Sequence, residues 1–371
     1  MKIKVLFTEL AGEVYGGGQK SLYLLIKSLN RNDFESFLLT ATAGSLIELC
    51  RPYCKDIKVL NIPLRMRSIV YPFIFNYKKV IEDIIKQSEI SIIHCNDVQT
   101  AFLFSILKLS NVKTIYHCRV PHSPGFLNKI IDKIIVKNIN RIIAVSDATA
   151  KRFEKYDKNK KIVVIPNGID LSLFTDLNKD FSIHKKYSIK ESAFIIGSVS
   201  RIIYGKRQHL LIEVLKDIVK DYPDTYLLIA GNYNEDKKYY NFLQNLIGKY
   251  NLSHKVIFTD FVENTADILK NIDVLSVFTY GEAMSRSILE GMACKKPIIA
   301  SDDGGNPDII KDEYNGLLVE LDNLDKYKLA LKRLLKDIDL RKKLSENAYI
   351  TVQKYTIKNS THEIENLYLS L

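Results

Sequence analysis

The 371-residue sequence contains no uninterrupted apolar segment long enough to span a lipid bilayer, which takes about 18 residues. Lys, Arg, Asp or Asn interrupts every run that is rich in Ile and Leu. The sequence therefore predicts a chain that does not cross a membrane. Its first residues, MKIKVLFTEL, reach Glu9 too early for a signal peptide and are more typical of a buried first strand.

Cysteine is scarce, and low-complexity tracts and short repeats are absent. The five cysteines are odd in number and have no CxxC spacing, which argues against a disulfide framework or a zinc site. We therefore expect reduced thiols and a cytoplasmic protein. With 46% hydrophobic and 26% charged residues, the chain is too apolar to be disordered and too long for one ordinary domain.

The net charge of +11 is concentrated in one half of the chain. Residues 1–180 contain 27 basic and 17 acidic side chains, whereas residues 181–371 contain 27 and 26. This difference predicts an anionic partner for the first half, such as a membrane surface, a phosphorylated substrate or a nucleic acid. Nucleic acid is the least favoured of these, because the sequence has no recognisable reader motif and no stacking aromatic spacing.

Short β-branched runs alternate with amphipathic helical segments along the chain, which is typical of βα units that build a parallel sheet. The first series of strand candidates comprises residues 2–7, 36–41, 57–61, 90–94, 114–117, 142–146 and 162–166. The second series comprises residues 194–200, 226–231, 255–259, 273–278, 297–301 and 316–319. The sequence therefore predicts an α/β protein with two Rossmann-like domains whose parallel sheets face an interdomain cleft.

The predicted boundaries follow the change in composition after Pro166. We assign residues 1–175 to the first domain, the polar segment 176–192 to a linker and residues 193–354 to the second domain. The final segment, 355–371, is a helix candidate with no strand after it. We expect this helix to pack on the first domain.

Three glycines lie between the first strand and the first helix: Gly16, Gly17 and Gly18. Glycines at this place let backbone N–H groups approach an anion at the helix N-terminus. A tight turn without a ligand explains them equally well, since the full GxGxxG pattern and the Walker lysine are missing.

Two cations follow the first strand of the second series, in the segment SRIIYGK. Arg201 and Lys206 suit a diphosphate, because Arg offers a bidentate fork and Lys a point charge. Taken alone, the pair would more often be a solvated surface feature.

A third group of polar residues surrounds a helix start at residues 282–290. Glu282 lies on the loop, Glu290 faces the apolar stripe of the helix, and a ribose diol would satisfy the buried carboxylate of Glu290. The helix N-terminus at Ser285, Arg286 and Ser287 would direct N–H groups toward phosphate. A surface helix with two glutamates is the simpler alternative from spacing alone.

Taken in order along nearly the whole chain, these segments resemble the retaining glycosyltransferases of family 4, which have the GT-B architecture. The resemblance rests on six segments, namely YGGGQKSLYLLIKSL, IIHCND with TIYHCR, RIIAVSDATAKRF, KIVVIPNGID, GSVSRIIYGK and the pair Glu282 and Glu290. It implies transfer of a hexosyl or N-acetylhexosaminyl group from a UDP-, GDP- or ADP-sugar. The implied acceptor is a glycan or lipid-linked hydroxyl in bacterial surface polysaccharide or glycoconjugate synthesis.

The resemblance also implies residue roles. Arg201 and Lys206 would neutralise the diphosphate, Glu290 would bind the ribose, and Glu282 and His117 would contact the donor sugar. Residues expected near the phosphates and nucleobase are Gly16, Gly17, Gly18, Gly231, Phe261, Val262 and the helix start at Ser285, Arg286 and Ser287. Residues expected on the acceptor side are Asn96, Asp97 and Arg119.

Metal-independent, front-face transfer without a protein nucleophile is a further implication, and no cofactor is expected. Asp302 and Asp303 stand in a DDGG turn rather than a metal-binding DxD. The sequence departs from the family pattern at Ala283, Met284 and Ser285, where Gly-Phe-Gly is common, and at Tyr233, since Gly231, Asn232 and Tyr233 replace the usual Gly-x-Gly. The donor therefore stays open.

The basic first half has its own candidate surface in the segment 63–80. Arg65, Arg67, Lys78 and Lys79 flank a run of apolar and aromatic residues, a combination that suits the headgroup layer of an anionic membrane. A buried helix edge with solvated lysines is an equal alternative. We expect peripheral attachment to the inner membrane face.

The alternative to an enzyme is a catalytically silent GT-B subunit that binds a glycan or a partner.

Overall fold

The structure of the protein, a computed structural model, describes residues 2–14, 16–60, 71–120, 125–260, 262 and 264–371, with only the backbone of residues 71–76. Arg65, Arg67 and Phe261 lie outside the described residues. The chain divides into two compact units, Met1–Gly168 with Ile357–Leu371, and Ile169–Thr356.

The described part of the first unit contains seven parallel strands. These are β1 (Ile3–Glu9), β2 (Phe34–Thr40), β3 (Asp56–Val59), β4 (Ile92–Cys95), β5 (Lys113–Cys118), β6 (Arg141–Ala144) and β7 (Ile162–Val164). Their order in the sheet is β3-β2-β1-β4-β5-β6-β7. Its helices are α1 (Gly17–Ser28), α2 (Ser45–Cys50), α3 (Tyr71–Ser88), α4 (Val98–Leu107), α5 (Phe126–Asn138) and α6 (Asp147–Glu154).

In the second unit, the described residues form six parallel strands. These are β8 (Phe194–Val199), β9 (Thr225–Ala230), β10 (Val256–Thr259), β11 (Val274–Val277), β12 (Ile298–Ser301) and β13 (Leu317–Val319). Their order is β10-β9-β8-β11-β12-β13. The helices are α7 (Ser182–Lys186), α8 (Gln208–Asp221), α9 (Lys237–Lys249), α10 (Thr265–Leu269), α11 (Arg286–Ala293), α12 (Asn306–Ile309), α13 (Leu324–Lys336) and α14 (Ile338–Val352).

The last helix, α15 (Ile357–Leu369), belongs to the first unit. It packs against α1, where Leu22 and Leu25 share a buried apolar cluster with Ile364 and Tyr368 of α15. Residues 176–192, the predicted linker, belong to the second unit and contain α7. No helix among the described residues is both long and apolar enough to cross a membrane.

All thirteen strand candidates overlap a strand, which confirms the prediction of two Rossmann-like α/β domains. The strands β4, β11 and β12 are buried along their whole length, as is typical of parallel sheets whose two faces are covered by helices. In each sheet the strand order reverses at one place, between β1 and β4 and between β8 and β11. Ligands of such sheets bind beyond the strand ends at this switch point, and the loops that follow these four strands, together with the starts of the helices after them, contain most of the predicted site residues.

Candidate functional site

The glycine segment of the first unit forms the start of α1. Gly16 precedes the helix and offers no side-chain cap to its first N–H groups. A Cβ on Gly18 would have the Cδ of Arg119, at 4.0 Å, as its nearest neighbour. Gly12 is different, because a Cβ there would lie 2.0 Å from the carbonyl oxygen of Thr42. Packing therefore requires glycine at position 12, whereas Gly18 has room for a side chain.

Asp97 holds the start of α4 against the end of β1. Its Oδ1 accepts hydrogen bonds from the backbone N–H groups of Gln99 and Thr100, both at 2.8 Å, and its Oδ2 accepts one from the N–H of Leu10 at 3.0 Å. An Asp at the N-cap stabilises a helix by satisfying N–H groups that have no intrahelical partner. The carboxylate of Asp97 is thus used for capping, and it fixes the two loops at the switch point.

Glu9 ends β1 and is a site residue that sequence reasoning missed. Its side chain is 3% exposed, and its Oε2 accepts a hydrogen bond from Nδ2 of Asn96 at 2.5 Å. Burial, followed by the negative charge of Asp97, raises the pKa of Glu9 from 4.5 to about 7. A carboxyl group with this pKa exchanges its proton near neutral pH. A carboxylate at the C-terminal end of the first strand of a Rossmann-like sheet was the available signal.

Arg119 lies at the centre of the first unit's polar cluster. Its Nε donates to Oδ1 of Asn96 at 2.8 Å, its Nη1 donates to Oδ1 of Asn167, and its Nη2 donates to Nδ1 of His117 at 3.1 Å. Guanidinium groups donate only, so all three partners accept. Three of the residues predicted in this unit, Asn96, Arg119 and His117, are therefore brought together.

His117 belongs to a buried pair with His94. Nδ1 of His117 lies 3.1 Å from Nε2 of His94, and Nδ1 of His94 lies 2.6 Å from the hydroxyl of Tyr368 on α15. Burial and the nearby positive charge of Arg119 lower the pKa of His117 well below its usual value and that of His94 to about 3. Both rings are neutral at physiological pH. The sequence offered no signal for Tyr368, which is distant in the chain.

In the second unit, Arg201 follows β8 and forms an ion pair with Glu235, with Nη1 and Oε1 2.6 Å apart. Gly231, at the end of β9, makes this arrangement possible. A Cβ on Gly231 would lie 1.9 Å from the carbonyl oxygen of Ser200 and 3.5 Å from the Cα of Arg201. Gln208 donates from Nε2 to the carbonyl oxygen of Arg201 at 2.9 Å, which ties the same loop to α8.

Lys206 and Glu282 form an ion pair between the two loops at the switch point of the second sheet. Lys206 ends a 3-10 turn after β8, and Glu282 lies on the loop after β11. The backbone N–H of Tyr280 also donates to the carbonyl oxygen of Gly205 at 3.2 Å, so the two loops are joined twice. The predicted clamp lysine and the predicted sugar-binding glutamate are thus adjacent.

The DDGG turn supports the Glu282 loop from the other side. Asp303 Oδ2 accepts a hydrogen bond from the N–H of Gly281, and the N–H of Gly305 donates to the carbonyl oxygen of Glu282 at 2.7 Å. Gly304 has a φ of +59°, and a Cβ there would lie 2.3 Å from the Glu282 carbonyl oxygen. Glycine is therefore required at position 304, and the turn orders the loop. Among the described residues, no three His, Cys, Asp or Glu side chains are grouped as metal ligands.

Glu290 is buried within α11, as its position on the apolar stripe predicts. It is 4% exposed, and it accepts hydrogen bonds from Oγ1 of Thr265 at 2.9 Å and from Nη2 of Arg286 at 3.3 Å. These partners reduce the cost of burying a carboxylate. Glu235 and Thr265, the partners of Arg201 and Glu290, were missed because long-range pairs leave no mark on local spacing.

The remaining predicted residues of this unit surround the start of α11 and the end of β10. Ser285 caps α11, since its Oγ accepts from the N–H of Ile288 at 3.4 Å, and it lies 3.1 Å from Oγ of Ser287. Val262 is half-buried on the loop after β10. The structure therefore gives each unit its own group of predicted residues.

Comparison with known proteins shows the family to which the chain belongs. The family described as Glycosyltransferase Family 4 matches residues 15–173, and Glycosyl transferases group 1 matches residues 179–351. An uncharacterized glycosyltransferase of Methanocaldococcus jannaschii is 29% identical over 72% of this chain and 70% of its own. The UDP-Gal:alpha-D-GlcNAc-diphosphoundecaprenol alpha-1,3-galactosyltransferase of Escherichia coli is 26% identical over 100% of this chain and 97% of its own.

Solved structures agree as well. HepE of Anabaena in complex with UDP-glucose has a TM-score of 0.84, with 21% identity and coverage of 100% of both chains. The two sheets, with this structural likeness, define the GT-B fold. The chain is a glycosyltransferase and belongs to family 4, the group 1 glycosyltransferases.

Proposed function

We propose that the protein transfers a sugar from a nucleotide-diphosphate donor to a hydroxyl group of a glycan or lipid-linked acceptor, with retention of the anomeric configuration. The observation that carries this proposal is the ion pair of Lys206 with Glu282 at the switch point of the second sheet, close to the loop of Arg201. A diphosphate replaces Glu282 as the partner of Lys206, and the released carboxylate is then available to the hydroxyl groups of the donor sugar.

Charge balance supports the assigned roles. As the bond between the anomeric carbon and the phosphate oxygen breaks, negative charge grows on the diphosphate, and Arg201 and Lys206 stabilise it. The acceptor oxygen forms its bond to the anomeric carbon on the same face, and its proton passes to the departing phosphate oxygen. Glu290 binds the ribose hydroxyls, and the uncapped N–H groups at Gly17 and Gly18 of α1 meet phosphate.

A UDP-hexose is our first choice of donor, and a diphosphate-linked lipid is our first choice of acceptor. The names of two similar proteins support this choice, since the Escherichia coli enzyme acts with UDP-Gal on a diphosphoundecaprenol acceptor and the Anabaena protein was solved with UDP-glucose. The direct test is thermal stabilisation of the protein by UDP-, GDP- and ADP-sugars, followed by NMR analysis of the product anomer. An inverted product would refute retention, and stabilisation without any turnover would favour a silent binding subunit.

We also propose that transfer requires no divalent metal. Asp303, the residue most easily mistaken for a metal ligand, uses its Oδ2 to accept the N–H of Gly281. Arg201 and Lys206 supply positive charge in the place where a metal would otherwise be needed. Turnover that EDTA abolishes and manganese restores would contradict this proposal.

Peripheral attachment of the first unit to an anionic membrane remains a proposal. Two of the four basic residues that the sequence suggested for this surface are described. Lys79 is exposed, and Nζ of Lys78 lies 3.7 Å from Oε1 of Glu82 in an ion pair. Helix α5 adds support, because Phe126 is 81% exposed and Leu127 is 56% exposed, next to the exposed side chain of Lys129. Apolar side chains beside lysines suit a lipid headgroup layer.

Vesicle flotation tests the attachment. The protein should float with phosphatidylglycerol vesicles at low salt, and the double variant Phe126→Ser, Leu127→Ser should float less. Leu329→Ser is the matched control, since Leu329 is 63% exposed but lies in the second unit. Wild-type protein that stays unbound at low salt would refute the attachment.

A further inference from the structure

The hydrogen-bond network around the two buried histidines leaves one donor unused. Nε2 of His117 is buried and has no hydrogen-bond partner among the residues that the structure describes. The other ring nitrogen, Nδ1, lies 3.1 Å from Nη2 of Arg119 and 3.1 Å from Nε2 of His94. Nε2 of His117 therefore differs from the other three ring nitrogens of the pair, each of which lies within hydrogen-bond distance of a partner.

The direction of these bonds starts from Arg119. A guanidinium group has no acceptor, so Nδ1 of His117 must accept the hydrogen bond from Nη2 of Arg119. Burial and the charge of Arg119 lower the pKa of His117 well below its usual range, and its ring is neutral. A neutral imidazole carries one proton, and in His117 this proton is on Nε2.

The same reasoning fixes His94. Because Nδ1 of His117 carries no proton, Nε2 of His94 must donate to it, and the two donors, on His94 and Arg119, share the single lone pair of that nitrogen. His94 is also neutral, so its Nδ1 accepts, and the donor is the hydroxyl of Tyr368 at 2.6 Å. Tyr368 and Arg119 thus act at the two ends of the pair and favour the same protonation pattern.

We propose that Tyr368 is a positioning residue that acts through His94 to keep the proton of His117 on Nε2, so that His117 donates a hydrogen bond to an oxygen atom of the donor sugar. The inference rests on the proposed transfer from a nucleotide sugar, together with the contact between His117 and the donor sugar that the family resemblance implies. A buried N–H without a partner is unfavourable, and a sugar oxygen satisfies it. His117 does not serve as a base for the acceptor hydroxyl, since the lone pair on Nδ1 already accepts hydrogen bonds within the network.

The test combines a spectroscopic and a kinetic measurement on the full chain. In protein labelled with 15N-histidine, long-range 1H–15N correlation at pH 7 should show His117 and His94 protonated on Nε2 only. Tyr368→Phe keeps the ring, whose centroid lies 5.7 Å from that of Phe34, and removes the hydroxyl. Without that hydroxyl, Nδ1 of His94 has no donor and Arg119 alone still favours the original protonation pattern. We therefore expect this variant to show a second tautomer of the pair beside the first, with kcat lower by about fivefold to tenfold, as for the loss of one hydrogen bond, and with unchanged affinity for the nucleotide.

Tyr327→Phe is the matched control. Tyr327 is also a fully buried tyrosine, with its hydroxyl 2.5 Å from Oγ of Ser276 in the second unit, so this variant should leave both histidine tautomers unchanged. A proton on Nδ1 of His117 in the wild type, or wild-type tautomers in Tyr368→Phe, would overturn the proposal whatever the activity. A tautomer change with wild-type kcat would instead overturn the contact of His117 with the sugar. Turnover of a nucleotide sugar by the wild type shows that the proposed function holds, so these outcomes can be distinguished from its failure.

Discussion

Lys206 and Glu282 form an ion pair although 76 positions separate them in the sequence. Each side chain is about one-fifth exposed, so the pair is mostly buried but still in contact with solvent. A ligand that reaches the loops can therefore replace either member of the pair. The position of the pair thus suits substrate binding better than structural support.

We expect Lys206→Ala to lower kcat by about 100-fold, because a positive charge that stabilises the leaving diphosphate is lost. Steady-state kinetics with the donor found in the screen measures this change. Arg207→Ala is the matched control: Arg207 is the adjacent cation, but it pairs with Asp322 and lies 5.6 Å from the ring centre of Tyr280. Similar losses in both variants would point to a general charge effect instead of a specific role for Lys206.

For Glu290→Ala we expect weaker nucleotide binding, because the carboxylate proposed to hold the ribose is removed. Calorimetry with the free nucleoside diphosphate measures the effect. Since Glu290 also accepts hydrogen bonds from Thr265 and Arg286, its loss also affects the local structure. Thr265→Val serves as the control, since it removes one of these hydrogen bonds and keeps the carboxylate. Normal nucleotide affinity in Glu290→Ala would exclude the ribose role.

Two of the four glycines predicted at the site, Gly231 and Gly18, should respond differently to alanine. In Gly231→Ala the new Cβ would lie 1.9 Å from a backbone oxygen of Ser200, so we expect a loss of stability of about 1–3 kcal/mol from the forced backbone shift. In Gly18→Ala the nearest atom is 4.0 Å away, and the melting temperature should stay close to that of the wild type. If Gly18→Ala then binds the donor more weakly at an unchanged melting temperature, the added methyl group must lie close to the bound donor. Equal melting temperatures for both variants would contradict the packing argument.

The strands could be predicted from the sequence because their signal is local. Each β-branched run is flanked by turns and helices, and every strand candidate overlaps a strand, including short ones such as β7 and β13. Glu290 could also be predicted to be buried, because it shares the helix face of its apolar neighbours. Hydrophobic periodicity in the sequence indicates which residues are buried, and burial determines both the strands and the position of Glu290.

The partners of the site residues could not be predicted in the same way. Tyr368 is 274 positions from His94, and Asn96 is 87 positions from Glu9. Such contacts depend on strand order, which periodicity does not contain. Asp97 was readable in principle, since an Asp immediately before an apolar helical segment is a typical N-cap. The role expected for Asp97 on the acceptor side did not include this capping of the helix.

Glu9 leads to a prediction about the pH dependence of stability. Its pKa is raised from 4.5 to about 7 in the folded protein, so between these values the folded state holds a proton that the unfolded state has lost. The contribution of Glu9 to the free energy of unfolding is therefore largest at low pH and decreases as the pH rises toward 7.

Glu9→Gln removes the free-energy cost of ionising this buried carboxyl group as the pH rises. Relative to the wild type, we expect the variant to gain about 2 kcal/mol in the free energy of unfolding between pH 5 and pH 8. Urea denaturation at both pH values measures the difference, and Glu346→Gln, at an exposed site in the second unit, controls for the loss of one carboxylate. Parallel pH profiles for wild type and Glu9→Gln would mean that Glu9 titrates normally. In that case the burial of its carboxylate beside Asp97 would be fully offset by the hydrogen bond from Asn96.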